Sequence, residues 1–173
     1  DKSDRTLPDL GDLWRYKFTV ARSGIIGTFV GIIPGVGEDI GAWASYATAK
    51  KISKEAEKFG SGSYEGLIAA ETGNSAVVPG ALIPALTLAV PGSAASAVLI
   101  AALFIHGIRP GPLIMIEQPH FIGLVSAMVL IATIYMGIFG LSLTRVFVQV
   151  LRVPYSYLMP VVFVLCVIGT YAL

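Results

Sequence analysis

Two apolar, membrane-length stretches of the chain are each interrupted by Pro/Gly turns that carry carboxylates or amides. The first turn reads Ile33-Pro34-Gly35-Val36-Gly37-Glu38-Asp39. The second region runs from Glu71-Thr72-Gly73-Asn74-Ser75 to Pro91-Gly92-Ser93. Backbone in lipid must satisfy its own hydrogen bonds, so irregular segments at membrane depth survive only inside protein or beside a water-filled cavity. Ionisable side chains at that depth are costly and mark functional sites by default. Paired interruptions of this kind are the best sequence pointer to a transporter's binding site.

Composition supports a membrane protein. Hydrophobic residues make up 55% and charged residues 13% of the chain, against about 25% charged in soluble domains. Mean hydropathy is +0.77. A net charge of +1 gives no reason to expect a nucleic-acid partner. The single cysteine, Cys166, excludes an intrachain disulfide and sits in an apolar run, as in a packed membrane helix. The chain opens at Asp1 without a signal-peptide pattern and stops inside an uncharged run, so it reads as part of a longer polypeptide.

Residues 1–22 mix Trp14, Tyr16 and Phe18 with Arg15, Lys17 and Arg22, as in an interfacial or connecting segment. Residues 23–49 hold two apolar arms around Pro34-Gly35-Val36-Gly37, where proline removes a donor and glycine permits positive φ. Gly24, Gly27 and Gly31 suit close helix approach. Basic residues flank the arms on both sides: Arg15, Lys17 and Arg22 before, Lys50, Lys51, Lys54 and Lys58 after. A simple span would put basic loops on both membrane faces. A re-entrant hairpin removes that conflict and is the expectation; a kinked span is the alternative.

A polar connector at 50–63 precedes residues 64–108, expected as a Pro/Gly-broken helix plus a following helix from Ser93 to His106. A turn and loop at 109–120 leads to an uncharged stretch, 121–144, long enough to span. Another spanning helix is expected over 153–173. The fold class is therefore all-α: a polytopic membrane fragment with a re-entrant hairpin, a broken helix and about three spanning helices. Arg145 and Arg152 weigh for a cytoplasmic end after 144, with residues 109–120 outside.

Helix N-termini attract anions through unpaired N–H groups, and C-termini present carbonyls to cations. Pro34-Gly35-Val36-Gly37 and Pro91-Gly92-Ser93 could each begin a half-helix. Asn74 and Ser75 could cap a further half-helix or hydrogen-bond carboxylate. Glu71 would repel an anion, so its alternatives are a cation or proton role and a structural hydrogen bond. Glu38 could ligate a cation, and Asp39 could cap a helix beginning at Ile40. His106 and His120 read as interfacial or packing residues.

Enzymatic readings fail on the residues. Gly35-Val36-Gly37-Glu38-Asp39 imitates the Gly-x-Gly-Asp signature of intramembrane aspartyl proteases, but the other aspartates lie at 1, 4, 9 and 12, outside any span. No βαβ pattern precedes the glycines, so they make no dinucleotide loop. One cysteine and two distant histidines give no zinc spacing.

Four stretches carry a family resemblance: Gly27-Thr28-Phe29-Val30-Gly31-Ile32-Ile33-Pro34-Gly35-Val36-Gly37, Phe59-Gly60-Ser61-Gly62-Ser63-Tyr64-Glu65-Gly66, Ala81 through Ser93, and His106-Gly107-Ile108-Arg109-Pro110-Gly111-Pro112. Their order and spacing resemble the carboxy-terminal repeat of the large membrane subunit of the tripartite tricarboxylate transporters, a subunit roughly three times this length. Against that family's Ala-Pro-Glu-Ala-Ala-Asn-Asn-Ala the chain reads Ala69-Ala70-Glu71-Thr72-Gly73-Asn74-Ser75-Ala76, with Ala70 for the proline and Ser75 for an asparagine, and Pro79 and Ala89 stand where glycines are usual. The resemblance implies cation-driven (Na⁺ or H⁺) uptake of carboxylates such as citrate. It also implies a periplasmic binding protein and a small membrane subunit as partners, in the bacterial inner membrane, and no enzyme activity or cofactor.

The proposed substrate contacts are Pro34, Gly35, Gly37, Asn74, Ser75, Pro91, Gly92 and Ser93, with Glu71 and Glu38 serving the cation. The rival readings are a non-transporting scaffold or assembly module, and a channel.

Overall fold

The computed structural model of the chain describes residues 10–150 and 153–171, and every regular element among them is helical. In order these are α1 (Leu10–Arg15), α2 (Lys17–Ile32), α3 (Gly37–Ile52), a 3₁₀ turn (Ala56–Lys58), α4 (Tyr64–Leu88), α5 (Ala94–Ile105), α6 (Ile114–Glu117), α7 (Phe121–Val150) and α8 (Tyr155–Tyr171). They fall into two compact units, Pro8–Val129 and one that takes in the residues from Leu130 onward.

The described part of the expected interfacial segment is α1 and the start of α2; residues 1–9 lie outside the described residues. Trp14 and Phe18 are exposed, and Lys17 Nζ stands 4.9 Å from the Trp14 ring centre and 5.4 Å from that of Phe18. Such a cation–aromatic cluster suits a helix end at a membrane boundary.

Helices α2 and α3 form an antiparallel hairpin closed by Ile33–Val36. Gly35 and Gly37 both carry φ of +76°, the left-handed backbone a Cβ would strain. The hairpin runs from Lys17 to Ile52, longer than the expected 23–49, because Lys50 and Lys51 extend α3 into its last turn, where cations favour the helix dipole. Asp39 does not cap a helix at Ile40. The helix starts at Gly37 with Val36 at the N-cap, and Glu38 and Asp39 occupy its first turn.

The expected break within α4 is absent. One helix of 25 residues passes through Gly73, Pro79, Gly80 and Pro84, so Asn74 and Ser75 sit mid-helix and cap nothing. Each proline removes one i→i−4 donor, from the carbonyls of Ser75 and Gly80, and apolar helices tolerate this where neighbours supply partners. Next to the Ser75 carbonyl, Thr28 Oγ1, which donates to the Gly24 carbonyl at 2.9 Å, also reaches the carbonyl of Ala76 at 3.5 Å and ties α2 to α4 there. The chain breaks instead at Ala89, whose φ of 55° is left-handed. Its N–H donates to the Pro84 carbonyl. An alanine there is strained where glycine is not. Ala89→Gly is expected to raise the unfolding free energy of the full-length protein in detergent by about 1 kcal/mol; an unchanged or lower thermal midpoint would contradict this.

The core of the first unit is a seam of small residues. α2 contributes Ser23, Gly27 and Gly31; α3 contributes Gly41, Ser45 and Ala49; α4 contributes Gly66, Ala69, Gly73, Gly80 and Ala81. Spacing of i, i+4 on α2 and α3, and of i, i+3, i+7 and i+14 from Gly66 to Gly80 on α4, places each set on one helix face. A Cβ on Gly27 would run into the Gly73 carbonyl and lie 2.9 Å from the Ala76 Cβ. One on Gly31 would strike the Val77 carbonyl. Thr19 pairs with Glu65, Gly27 with Gly73 and Gly31 with Ala81, so α2 and α4 run parallel with α3 antiparallel to both. Gly24, expected in this seam, has open space at its Cβ position. Toward the open end of the hairpin, Ala49, Phe59 and Ala69 form an apolar cluster against Tyr46, whose ring centre lies 5.2 Å from that of Phe59.

Beyond the break, α5 has 12 residues, about 18 Å of rise and short of a ~30 Å hydrocarbon core. The turn after it is tied back to α4 by the Gly111 N–H, which donates to the Leu86 carbonyl at 2.9 Å. Within α7, Phe121–Thr144 is long and apolar enough to cross a membrane, and among the described residues it alone meets both requirements together. α8, with 17 residues and Pro160 inside it, is apolar but shorter; Cys166 is exposed on it.

Candidate functional site

Both Pro/Gly turns lie at one end of the three-helix unit. Gly92 is buried in the break after α4, and a Cβ added to it would lie 3.0 Å from the Ala81 Cβ and 3.1 Å from the Gly31 carbonyl oxygen. The second turn therefore rests on the last turn of α2, directly before Ile33-Pro34-Gly35. Pro34, Gly35 and Pro91 are exposed, Gly37 and Ser93 half-buried. The structure brings Pro34, Gly35, Gly37, Pro91, Gly92 and Ser93 to the same end.

The two helices that begin here differ in charge. α5 starts with a capping box: the Ser96 N–H donates to Ser93 Oγ at 3.3 Å, and the Ser93 N–H donates to Ser96 Oγ at 2.8 Å. Ser93 is thus occupied in setting the helix start. The exposed first-turn residues Ala94 and Ala95 have no acidic neighbour in that turn, and first-turn N–H groups have no intrahelical acceptor. This end can receive an anion. α3 starts with no side-chain cap and with Glu38 and Asp39 in its first turn. Those carboxylates favour its dipole, would repel an anion, and stand with the C-terminal carbonyls of α2 where a cation fits better.

Asn74, Ser75 and Glu71 are placed apart from the turns. Asn74 is half-buried and lies one i+7 step before Ala81, the residue on which Gly92 rests. Seven residues are two turns, about 10 Å along α4, so Asn74 lies on the strip leading to the break. Glu71 and Ser75 are exposed on a different face, i and i+4 to each other. The structure does not bring them to the turns.

An apolar cavity of about 330 Å³ lies between the second half of α4, Met115 and the start of α7. Its two hydroxyls, Thr87 and Ser126, donate back to the Ile83 and Ile122 carbonyls of their own helices at 2.7 and 2.8 Å. With no free polar group among them it cannot select a carboxylate, and it suits a lipid tail or an apolar helix.

A polar cluster that the sequence reading passed over sits at the opposite end of the hairpin. Glu65 is half-buried; its Oε1 accepts from Thr19 Oγ1 at 2.8 Å and its Oε2 from Ser53 Oγ at 2.6 Å. One carboxylate thereby ties together α2, the end of α3 and the start of α4. Beside it, Glu55 is bound by Lys58 at 3.0 Å and Arg15 at 3.4 Å. The hydrogen bond and charge of Lys58, then the charge of Arg15, hold the Glu55 carboxyl below its ordinary value against slight desolvation. That small contribution is present above the ordinary carboxylate range and fades as pH falls through the lowered value. The available signal was Glu65 itself, a lone acid at the first turn of a long apolar helix.

Among relatives, the chain is 34% identical over its whole length to an "Uncharacterized 52.8 kDa protein in TAR-I ttuC' 3'region" of Agrobacterium vitis, covering 36% of that protein. It is 33% identical, over 85% of the chain and 61% of the relative, to an "Uncharacterized protein in TAR-II ttuC' 3'region" of the same organism. The chain thus spans about a third of the first relative and three-fifths of the second. No solved structure matches it. The Tripartite tricarboxylate transporter TctA family matches residues 1–173 throughout, and the chain belongs to that family, one of transporters and not of enzymes.

Proposed function

We propose that the full-length protein is the permease of a cation-coupled importer of di- or tricarboxylates such as citrate. In this reading it works in the bacterial inner membrane with a periplasmic binding protein and a small membrane subunit. The observation that carries the reading is the convergence of two Pro/Gly turns, one opening an acid-free helix start and the other an acid-bearing one. The first turn of α5 and Asn74 meet the substrate carboxylates. Glu38, with the carbonyls ending α2, meets the coupling Na⁺ or H⁺. Pro34, Gly35, Gly37, Pro91, Gly92 and Ser93 shape the turns. Glu71 and Ser75 face away from them, toward whatever the rest of the subunit packs there, and Glu71 keeps its cation role only on that side.

The test is uptake of radiolabelled citrate by the full-length protein and its partner subunits in proteoliposomes, under an inward Na⁺ or pH gradient. Saturable, gradient-dependent uptake is expected. Absence of uptake across a panel of di- and tricarboxylates would sink the transporter reading and leave a scaffold; uptake that neither saturates nor follows the gradient would make it a channel. Asn74→Ala is expected to lower uptake about tenfold through loss of one hydrogen bond to a charged group, with the thermal midpoint retained. Full activity in that variant would return Asn74 to a packing role.

A further inference from the structure

At the open end of the hairpin, remote from the turns, a cavity of about 350 Å³ is lined by Arg15, Phe18, Arg22, Lys54, Glu55 and Glu65 among others. Both carboxylates in it are engaged. Each oxygen of Glu65 accepts a hydroxyl, and each oxygen of Glu55 faces a cation. Arg22 is different: its Nε and Nη2 are shut off from solvent and have no hydrogen-bond acceptor. By covalent geometry these two nitrogens share one edge of the guanidinium, and their N–H bonds run parallel. That edge is the fork that grips two oxygens of a single carboxylate or phosphate. A guanidinium edge that is buried and unpartnered is a large uncompensated cost.

The lining of the cavity beside Arg22 points to a ligand rather than to a missing internal partner. Three cations line the cavity against two carboxylates that are already bonded. Thr19 and Ser53 give their hydroxyl hydrogens to Glu65, and neither accepts from the Nε/Nη2 edge of Arg22. On the rim, Phe18 and Ile52 are exposed at 76% and 59%, so the charged pocket adjoins an apolar surface. The exposed face continues up α2 through Ile25 and Phe29, about two and three helical turns beyond Phe18. A headgroup with attached tails matches that profile better than a small polar solute. The aromatic and basic residues of α1 and α2 place the same end at a membrane boundary.

We propose that this cavity is a phosphate site, in which Arg22 turns its Nε/Nη2 edge inward to grip two oxygens of a phosphate group while Lys54 and Arg15 supply further positive charge. The turn uses only the torsions of a long side chain and breaks no hydrogen bond of that edge, since it makes none. The phosphate comes either from an anionic phospholipid, which the apolar rim favours, or from solution. The inference is independent of the transport reading, because it concerns the end of the unit away from the Pro/Gly turns and needs no uptake for its test.

The experiment uses the full-length protein, delipidated in a neutral detergent, and reads its thermal midpoint against three probes: phosphatidylglycerol in mixed micelles, diacylglycerol with the same tails, and inorganic phosphate. Saturable protection by phosphatidylglycerol but not by diacylglycerol is expected, weakened about tenfold in apparent affinity by Arg22→Gln and less by Lys54→Gln. Protection by inorganic phosphate alone, with the same dependence on Arg22, would assign the site to a free anion. Equal protection by diacylglycerol, or protection by either phosphate probe that Arg22→Gln leaves unchanged, would overturn the proposal. If Arg22→Gln does not fold, Arg22→Lys keeps the charge and removes the fork. Retained phosphatidylglycerol counted by native mass spectrometry must then fall in that variant, and wild-type retention would overturn the proposal equally.

Discussion

Gly73→Ala is expected to destabilise the full-length protein by about 3 kcal/mol, the upper range for overpacking a well-filled core. The added methyl has nowhere to go. It would run into Ser45 Oγ, lie 2.6 Å from the Ser45 Cβ, and lie 2.6 Å from the Gly41 carbonyl. Ser45 is fully buried and Gly41 is backbone in the middle of α3, so neither can yield cheaply. The same substitution at Gly24 provides the control, because its Cβ position is open. Gly24→Ala is expected to be neutral or to gain up to about 1 kcal/mol from helix propensity. Thermal unfolding of the two variants in one detergent checks both at once. Equal midpoints would mean that the helices are not held at backbone distance.

Gly92→Val is expected to separate stability from transport. The site holds a single Cβ only at 3.0 Å from Ala81 and 3.1 Å from the Gly31 carbonyl, and valine adds two methyl groups beyond that. Gly92 touches only the Gly31–Ala81 end of the seam between α2, α3 and α4, so the unfolding cost stays at about 1–3 kcal/mol. The break, however, must lift away from α2 and carry the start of α5 with it. A misplacement of about 1 Å in a positioning element costs about a hundredfold in function. In the uptake assay of the proposed function, initial rates with citrate are therefore expected to fall about a hundredfold, with Gly92→Ala between valine and wild type. Wild-type rates in Gly92→Val would remove this turn from the site.

Much of this arrangement was legible from local chemistry. The Pro34-Gly35-Val36-Gly37 turn with basic residues before and after its two arms announced a hairpin, because a simple span would put basic loops on both membrane faces. Pro91-Gly92-Ser93 announced a helix start because proline and glycine end the preceding helix and serine suits the capping position. The course of α4 was not legible. Gly73, Pro79, Gly80 and Pro84 have the composition of a broken helix, and local propensity cannot reveal that Gly73 and Gly80 serve contact with α3 and α2. Nor can it reveal that Thr28, 48 residues before Ala76, meets the Ala76 carbonyl and ties α2 to α4 beside Pro79. Asn74 and Ser75 were misplaced as caps by that one error. The polar cluster around Glu65 was invisible for a related reason: Thr19, Ser53 and Glu65 are scattered in the chain and meet only when α2 and α4 lie parallel.

That parallel course has an electrical consequence. With α2 and α4 running one way and α3 and α5 starting where they stop, the end bearing the Pro/Gly turns collects two helix C-termini and two N-termini. Each carries about half an elementary charge, negative and positive respectively, so the four sum to nearly zero while remaining locally separated. A lone ion gains little from such an array, because the attraction of one pair of ends is offset by the other. A cation and a carboxylate arriving together match it on both sides. In the cation-coupled importer proposed above, the pairing of substrate and ion would thus originate in backbone direction, before any side chain is counted.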